Sequence, residues 1–138
     1  MSPKEECEIL MNELMPIGVD FLKKHGEFYP YGAVINIDGT IKLLGFYEGS
    51  EFPASKDIID GLIETCKQFA VNGEIKASGI VWNTSVTSTD GKGTDSIIIS
   101  LEHKENYSVR VGLPYKIGLF KRVKLGNLFA LEGDKSVF

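Results

Sequence analysis

A chain of 138 residues fits one domain, and a domain of that size buries roughly two-thirds of the surface its unfolded form exposes. Hydrophobic residues make up 43% and charged residues 25%, with a net charge of −4, so the chain reads as soluble and lacks the basic footprint of a nucleic-acid binder. No apolar run reaches the ~18 residues of a membrane span. The acidic start MSPKEECEIL is unlike a secretory signal, so a cytoplasmic protein with no membrane partner is expected.

The first predicted element is a helix. Ser2 caps it, Pro3 takes its first position, and Glu5 completes a capping box. Cys7, Leu10, Met11, Leu14, Ile17, Phe21 and Leu22 then form an apolar stripe. Pro16 interrupts the stripe but the period continues, which predicts a kink and not an end. Lys23, Lys24 and His25 suit the negative end of the helix dipole, and Gly26 suits the left-handed cap.

Residues 31–37 and 40–47 read as a hairpin. A loop of Ile37-Asp38-Gly39 pairs Ile35 with Ile41 and gathers Ala33, Ile35, Ile37, Ile41 and Leu43 on one face. Asn36 starts a type I turn and Gly39 takes its left-handed position. A second helix follows, with Ser55 as cap, a stripe from Ile58 to Ala70, and Gly73 beyond its end. Ile75–Thr87 reads as one long strand, or two with a bend near Gly79, Thr87–Asp95 as a loop and residues 96–103 as the next strand. A hairpin loop at Lys104-Glu105-Asn106 then pairs His103 with Tyr107 and Leu101 with Val109. Asn106 is left-handed in this reading, a conformation Asn tolerates. Leu119–Leu131 reads as a last strand broken near Gly126.

The fold class is therefore α+β: a largely antiparallel sheet of five or six strands with two helices, in the order α-β-β-α-β-β-β(-β) and in a single domain over 1–138. The helices are expected to cover one face. The stretches FYPYGAVINIDG, LEH and LPY resemble a family of small bacterial α+β proteins with no assigned activity, so the resemblance transfers no site. The order of elements is similar to the roadblock and profilin-like folds, which are mostly interaction modules; that likeness concerns fold alone.

Cys7 and Cys66 read as reduced core thiols. There is no CxxC, and two histidines at these spacings complete no metal site, so neither metal nor cofactor is expected. Glu102, His103 and Arg110, with Ser100, Ser108 and Tyr115 nearby, supply acid–base chemistry and define a candidate polar pocket. Glu102 and His103 are adjacent in a strand, however, and so face opposite ways. The simpler reading is a cross-strand pair of Glu102 with Arg110 and a packed His103 at the end of the apolar face. The loop DGKGTD lacks the spacing of a phosphate-binding loop, because Gly93 follows Lys92. Lys116, Lys121, Arg122 and Lys124 form a basic cluster that suits an acidic partner or nucleic acid, but the preferred reading is that these cations guard a strand edge.

The aromatic residues around FYPY suit an interface, with Tyr29, Tyr31, Leu44 and Phe46 as candidates. Two functional readings result. One is a non-catalytic module that binds a protein partner, or itself, through an aromatic sheet face. The other is a small enzyme or ligand-binding protein with a pocket near Glu102, Arg110 and Tyr115. Because the first hairpin is apolar on both faces, a homodimer covering its second face is expected, with the C-terminal tail as the competing cover.

Overall fold

The computed structural model describes residues 1–45, 54–87 and 93–138. In chain order these form α1 (Pro3–His25), β1 (Tyr31–Asn36), β2 (Ile41–Gly45), α2 (Ser55–Val71), β3 (Ile75–Thr87), β4 (Gly93–His103), β5 (Tyr107–Ile117), a 3₁₀ turn (Leu119–Lys121), β6 (Val123–Leu125) and β7 (Phe129–Glu132). The strands make one antiparallel sheet in the order β2-β1-β3-β4-β5-β6, and β7 pairs with the remaining length of β5. The α+β class and the order of elements are as the sequence indicates. The C-terminal segment supplies two short strands instead of one broken strand, which brings the sheet to seven.

Both hairpins have the predicted register. Ile35 faces Ile41, and the Asn36 amide donates to the Thr40 carbonyl at 2.8 Å. Asp38 fastens the turn by accepting from the Thr40 amide and hydroxyl, and Gly39 is left-handed at φ 92°. That φ strains any residue with a Cβ. In the second hairpin His103 faces Tyr107, Ser100 faces Arg110, and Asn106 sits at φ 63°.

α1 begins with the predicted capping box. The Ser2 hydroxyl accepts from the Glu5 amide at 3.1 Å, and the Glu5 carboxylate accepts from the Ser2 amide at 3.4 Å. The helix runs through Pro16 as one element. Proline has no N–H to offer the carbonyl four residues back, so the ladder is interrupted there. The Tyr31 hydroxyl enters beside this interruption. It donates to the Leu14 carbonyl at 2.6 Å, and its own oxygen accepts from the Gly18 amide. An unbroken helix joins those two backbone groups directly. Gly18 is required for the approach, because a Cβ there would lie 2.9 Å from the Tyr31 hydroxyl oxygen. α2 is capped less well than expected: Ala54 holds the cap position, Ser55 is the first helical residue, and no side chain bonds the terminal amides.

The expectation that both helices share one face is overturned. Cys7, Leu10, Leu14 and Leu22 of α1 pack on Ala33, Ile35, Ala77, Val81, Ile97, Ile99 and Leu101. Ile58, Leu62 and Cys66 of α2 pack with Val34, Ile80 and the half-buried Leu44 on the opposite face. Successive strand residues alternate in direction, so the two sets belong to the two sides of one sheet. Apolar residues on both sides of β1 and β3 call for cover on both sides, and each helix provides one layer. Val137, from the C-terminal tail, completes the α2-side core beside Val34 and Cys66.

The pairing of β1 with β3 shifts between Ile35–Ala77 and Asn36–Ile75, leaving Lys76 as the extra residue. Such a bulge re-aims the side chain it carries. Ile75 joins the α2-side core, whereas Lys76 reaches Glu6 of α1.

Replacing Tyr31 by Phe should destabilise the fold by about 1–3 kcal/mol, the cost of a buried carbonyl losing its donor. Gly18→Ala alone should also destabilise, but it should cost less when Tyr31 is already Phe, because the clashing oxygen is gone. Urea unfolding of the two single variants and the double variant measures that coupling, and additive effects would refute the wedge.

Candidate functional site

Two polar clusters lie back to back at one end of the sheet. On the α1 side, Glu6 accepts from the Lys76 ammonium at 2.9 Å and meets His103 Nε2 at 3.2 Å. His103 continues the odd-numbered apolar series of β4 and is buried, as the packed-edge reading expected. Its Nδ1 accepts the Glu105 amide at 3.1 Å. That contact leaves the proton on Nε2, which donates to Glu6. Both ring nitrogens are therefore engaged, and neither is free to act as a base. The Lys76 hydrogen bond is the largest influence on Glu6 and holds its carboxyl below the usual range. Burial opposes this, and the His103 hydrogen bond reinforces it.

Cys7 follows Glu6 in α1. Burial, then the nearby Glu6 and Glu102 carboxylates, push its thiol up to about 12. Cys66, in the other core, is likewise pushed up to about 12 by burial and by Glu102. Both cysteines are free, buried and held as thiols, far from the thiolate character of a nucleophile.

On the α2 side, Glu102 is buried and turned toward the C-terminal tail. Its two oxygens accept the Val137 amide at 3.0 and 3.1 Å, and the Phe138 amide lies at 3.4 Å. Arg110 also faces this side, as expected, but its ion pair is with Asp134 of the tail at 3.1 Å and not with Glu102. The guanidinium lies over the Trp82 ring, 5.8 Å from its centre, and its Nε is buried with no hydrogen-bond partner. Lys135 also bonds Asn106. Three contacts thus strap the tail across β4 and β5.

The structure does not assemble the predicted pocket of Glu102, His103, Arg110 and Tyr115. Glu102 and Arg110 point to the α2 side, while His103 and Tyr115 point to the α1 side, so the sheet separates them. Tyr115 is buried, with Asn83 donating to its hydroxyl at 3.3 Å. The aromatic sheet face is also divided. Tyr31 is buried against α1, Leu44 lies beneath α2, Tyr29 is exposed, and Phe46 lies outside the described residues, as do residues 90–92 of DGKGTD; Gly93–Asp95, expected in that loop, are instead the start of β4. Among the described residues no cluster of three or more His, Cys, Asp or Glu could hold a metal.

Sequence reading missed Glu6, Lys76 and the tail. Glu6 had a signal: it lies four and eight residues before Leu10 and Leu14, on the apolar stripe itself. An acid on a stripe calls for a buried partner, and His103 ends the facing strand pattern. Lys76 had none, because its direction depends on a bulge. Besides these clusters, a groove of about 450 Å³ runs along α1 between Met15, Val19, Leu113 and Leu125, with Asn12, Asp20 and Lys23 at its rim.

No family profile matches the chain, and no curated protein or solved structure is significantly similar to it.

Two outcomes test the clusters. Because the folded state lowers the Glu6 pKa, its contribution to stability is present above the ordinary value of 4.5 and is lost as pH falls through the lowered folded value. Urea midpoints measured across acid pH should therefore fall more steeply in the wild type than in Glu6→Gln. Glu102→Ala should cost about 1–3 kcal/mol and should make the last residues more susceptible to carboxypeptidase, while unchanged digestion would exclude the clamp.

Proposed function

We infer that the protein is a small non-catalytic interaction module that associates with a second copy of itself along β2. The observation that carries this reading is the state of that strand. β2 ends the sheet, and on the α1 side Ile41 and Leu43 stand 36% and 59% exposed, with Ile37 of the adjoining turn 48% exposed. Exposed strand edges are normally protected by lysine, proline or a bulge. The lysine of β2, Lys42, is instead turned to the α2 side, with its ammonium 5.2 Å from the centre of the Phe69 ring. An antiparallel pair of β2 strands about a two-fold axis would extend the sheet and bring each Leu43 against its symmetry mate.

This reading moves the association surface from the second sheet face, which α2 and the tail cover, to the sheet edge. The internal engagement of Glu6, His103 and Glu102 supports a structural role for those groups over a catalytic one. The two buried free thiols suit a reducing, cytoplasmic setting. Among the described residues no helix is long and apolar enough to cross a membrane.

Sedimentation equilibrium tests the reading. The mass should rise toward twice that of one chain as concentration increases, and Leu43→Lys should keep the protein monomeric, with a melting temperature that no longer rises with concentration. A wild-type chain that stays monomeric throughout would remove the self-association.

A further inference from the structure

The opposite end of the sheet carries a second surface of different chemistry. The turn between β5 and β6 places Leu119 and Phe120 in solvent, 84% and 93% exposed. Phe120 is also held at φ 59°, ψ 31°, in the left-handed region that bulky residues avoid. Behind this tip comes the Ile117–Val123 pair, and behind that a basic one. Lys116 and Lys124 are directly opposite each other in the β5–β6 pairing, and Arg122 is exposed beside them. Like charges in facing positions repel. Among the described residues none of these three cations forms an ion pair. Residues 111–131 contain four basic residues and no acidic one, in a chain that is acidic overall.

We propose that the Leu119–Phe120 tip and its basic collar form a contact site for an anionic lipid surface. The tip is a short turn closed by the Gly118 amide on the Arg122 carbonyl, and its two exposed apolar side chains need no preformed socket to enter an acyl layer. Arg122 beside the tip and the Lys116–Lys124 pair behind Ile117 and Val123 then stand at headgroup level, where each gains from negative surface charge. The composition favours lipid over protein. Lys is depleted at protein interfaces and Leu is under-represented among their hot spots; Phe and Arg are common to both kinds of surface, and Phe and Leu beside Lys and Arg together are the residues of interfacial anchors. A counter-surface of negative charge relieves the Lys116–Lys124 repulsion, and a site that uses Phe120 accounts for a bulky side chain in a conformation that glycine takes freely. The expectation of no membrane partner rests on the lack of a spanning segment, and a surface contact needs none.

The experiment is co-sedimentation of the full chain with phosphatidylcholine vesicles with and without phosphatidylglycerol. Binding should require the anionic lipid and should weaken as salt is raised. Lys116→Gln with Lys124→Gln should weaken it on the order of 25-fold, from about fivefold per charge. Phe120→Ser should weaken it by about tenfold. Phe120→Gly should separate the two roles of that position: it should weaken binding by about as much as Phe120→Ser yet raise the melting temperature by a few degrees, because the left-handed strain is removed. The proposal is overturned by a wild-type protein that ignores anionic vesicles at low salt, or by binding that survives loss of both Leu119 and Phe120. It is equally overturned if Phe120→Gly gains no stability. A chain that dimerises through β2 but ignores vesicles would sink this proposal alone.

Discussion

The placement of α1 depends on one hydroxyl group. Tyr31 enters the sheet as the first residue of β1, and its oxygen sits between the Leu14 carbonyl and the Gly18 amide, beside the break that Pro16 opens at the Asn12 carbonyl. A proline inside a helix usually leaves a backbone acceptor in search of a donor. Here a side chain from the sheet enters the ladder next to that gap and ties the two layers together by direct bonding to the helix backbone. An aliphatic stripe alone would let the helix slide over the sheet by a turn, whereas a hydrogen bond to one carbonyl specifies the position. From Gly18 to Glu6 the helix rises about 18 Å, and this carries Glu6 to the far end of the sheet. There His103 and the re-aimed Lys76 meet it.

Much of the fold could be read from the order of residues. Side-chain alternation has a period of two, so a slip of one residue would turn every apolar group in a strand outward. That is why both hairpin registers were legible, and with them the burial of His103 and the direction of Arg110. The helix ends were legible where a side chain makes the cap, as at Ser2 and Glu5, and less so at Ser55, where the backbone does the work unaided. The side of the sheet that α2 occupies was not legible from its own stripe. It was implicit in Val34 and Leu44, which need cover on the face away from α1.

The site residues were harder to read for a related reason. Local patterns describe which face a residue takes, but its partner depends on what arrives from elsewhere in the chain. Arg110 faces the expected way, yet a residue of the tail reaches it first. Glu102 is likewise satisfied by amides of residues 137 and 138, which no strand pattern predicts. Lys76 depends on a single unpaired residue in one strand. The apolar groups left in solvent follow from the reach of the helices. α1 covers the centre of its face and reaches Val123 of β6, but leaves Ile41 and Leu43 of the outer strand β2 in solvent.

Glu102 and His103 are neighbours in β4 and hold opposite ends of the described chain, Glu102 gripping residues 137 and 138 on one face and His103 gripping Glu6 on the other. In mechanical terms a single peptide unit is the anchor through which the two ends are joined. Tension applied between those ends acts across the thickness of the sheet at this point, and not along the hydrogen-bonded ladders. The outer strands bear little of such a load. The clamps yield first and release the tail and the start of α1, while the antiparallel centre of β3, β4 and β5 stays paired.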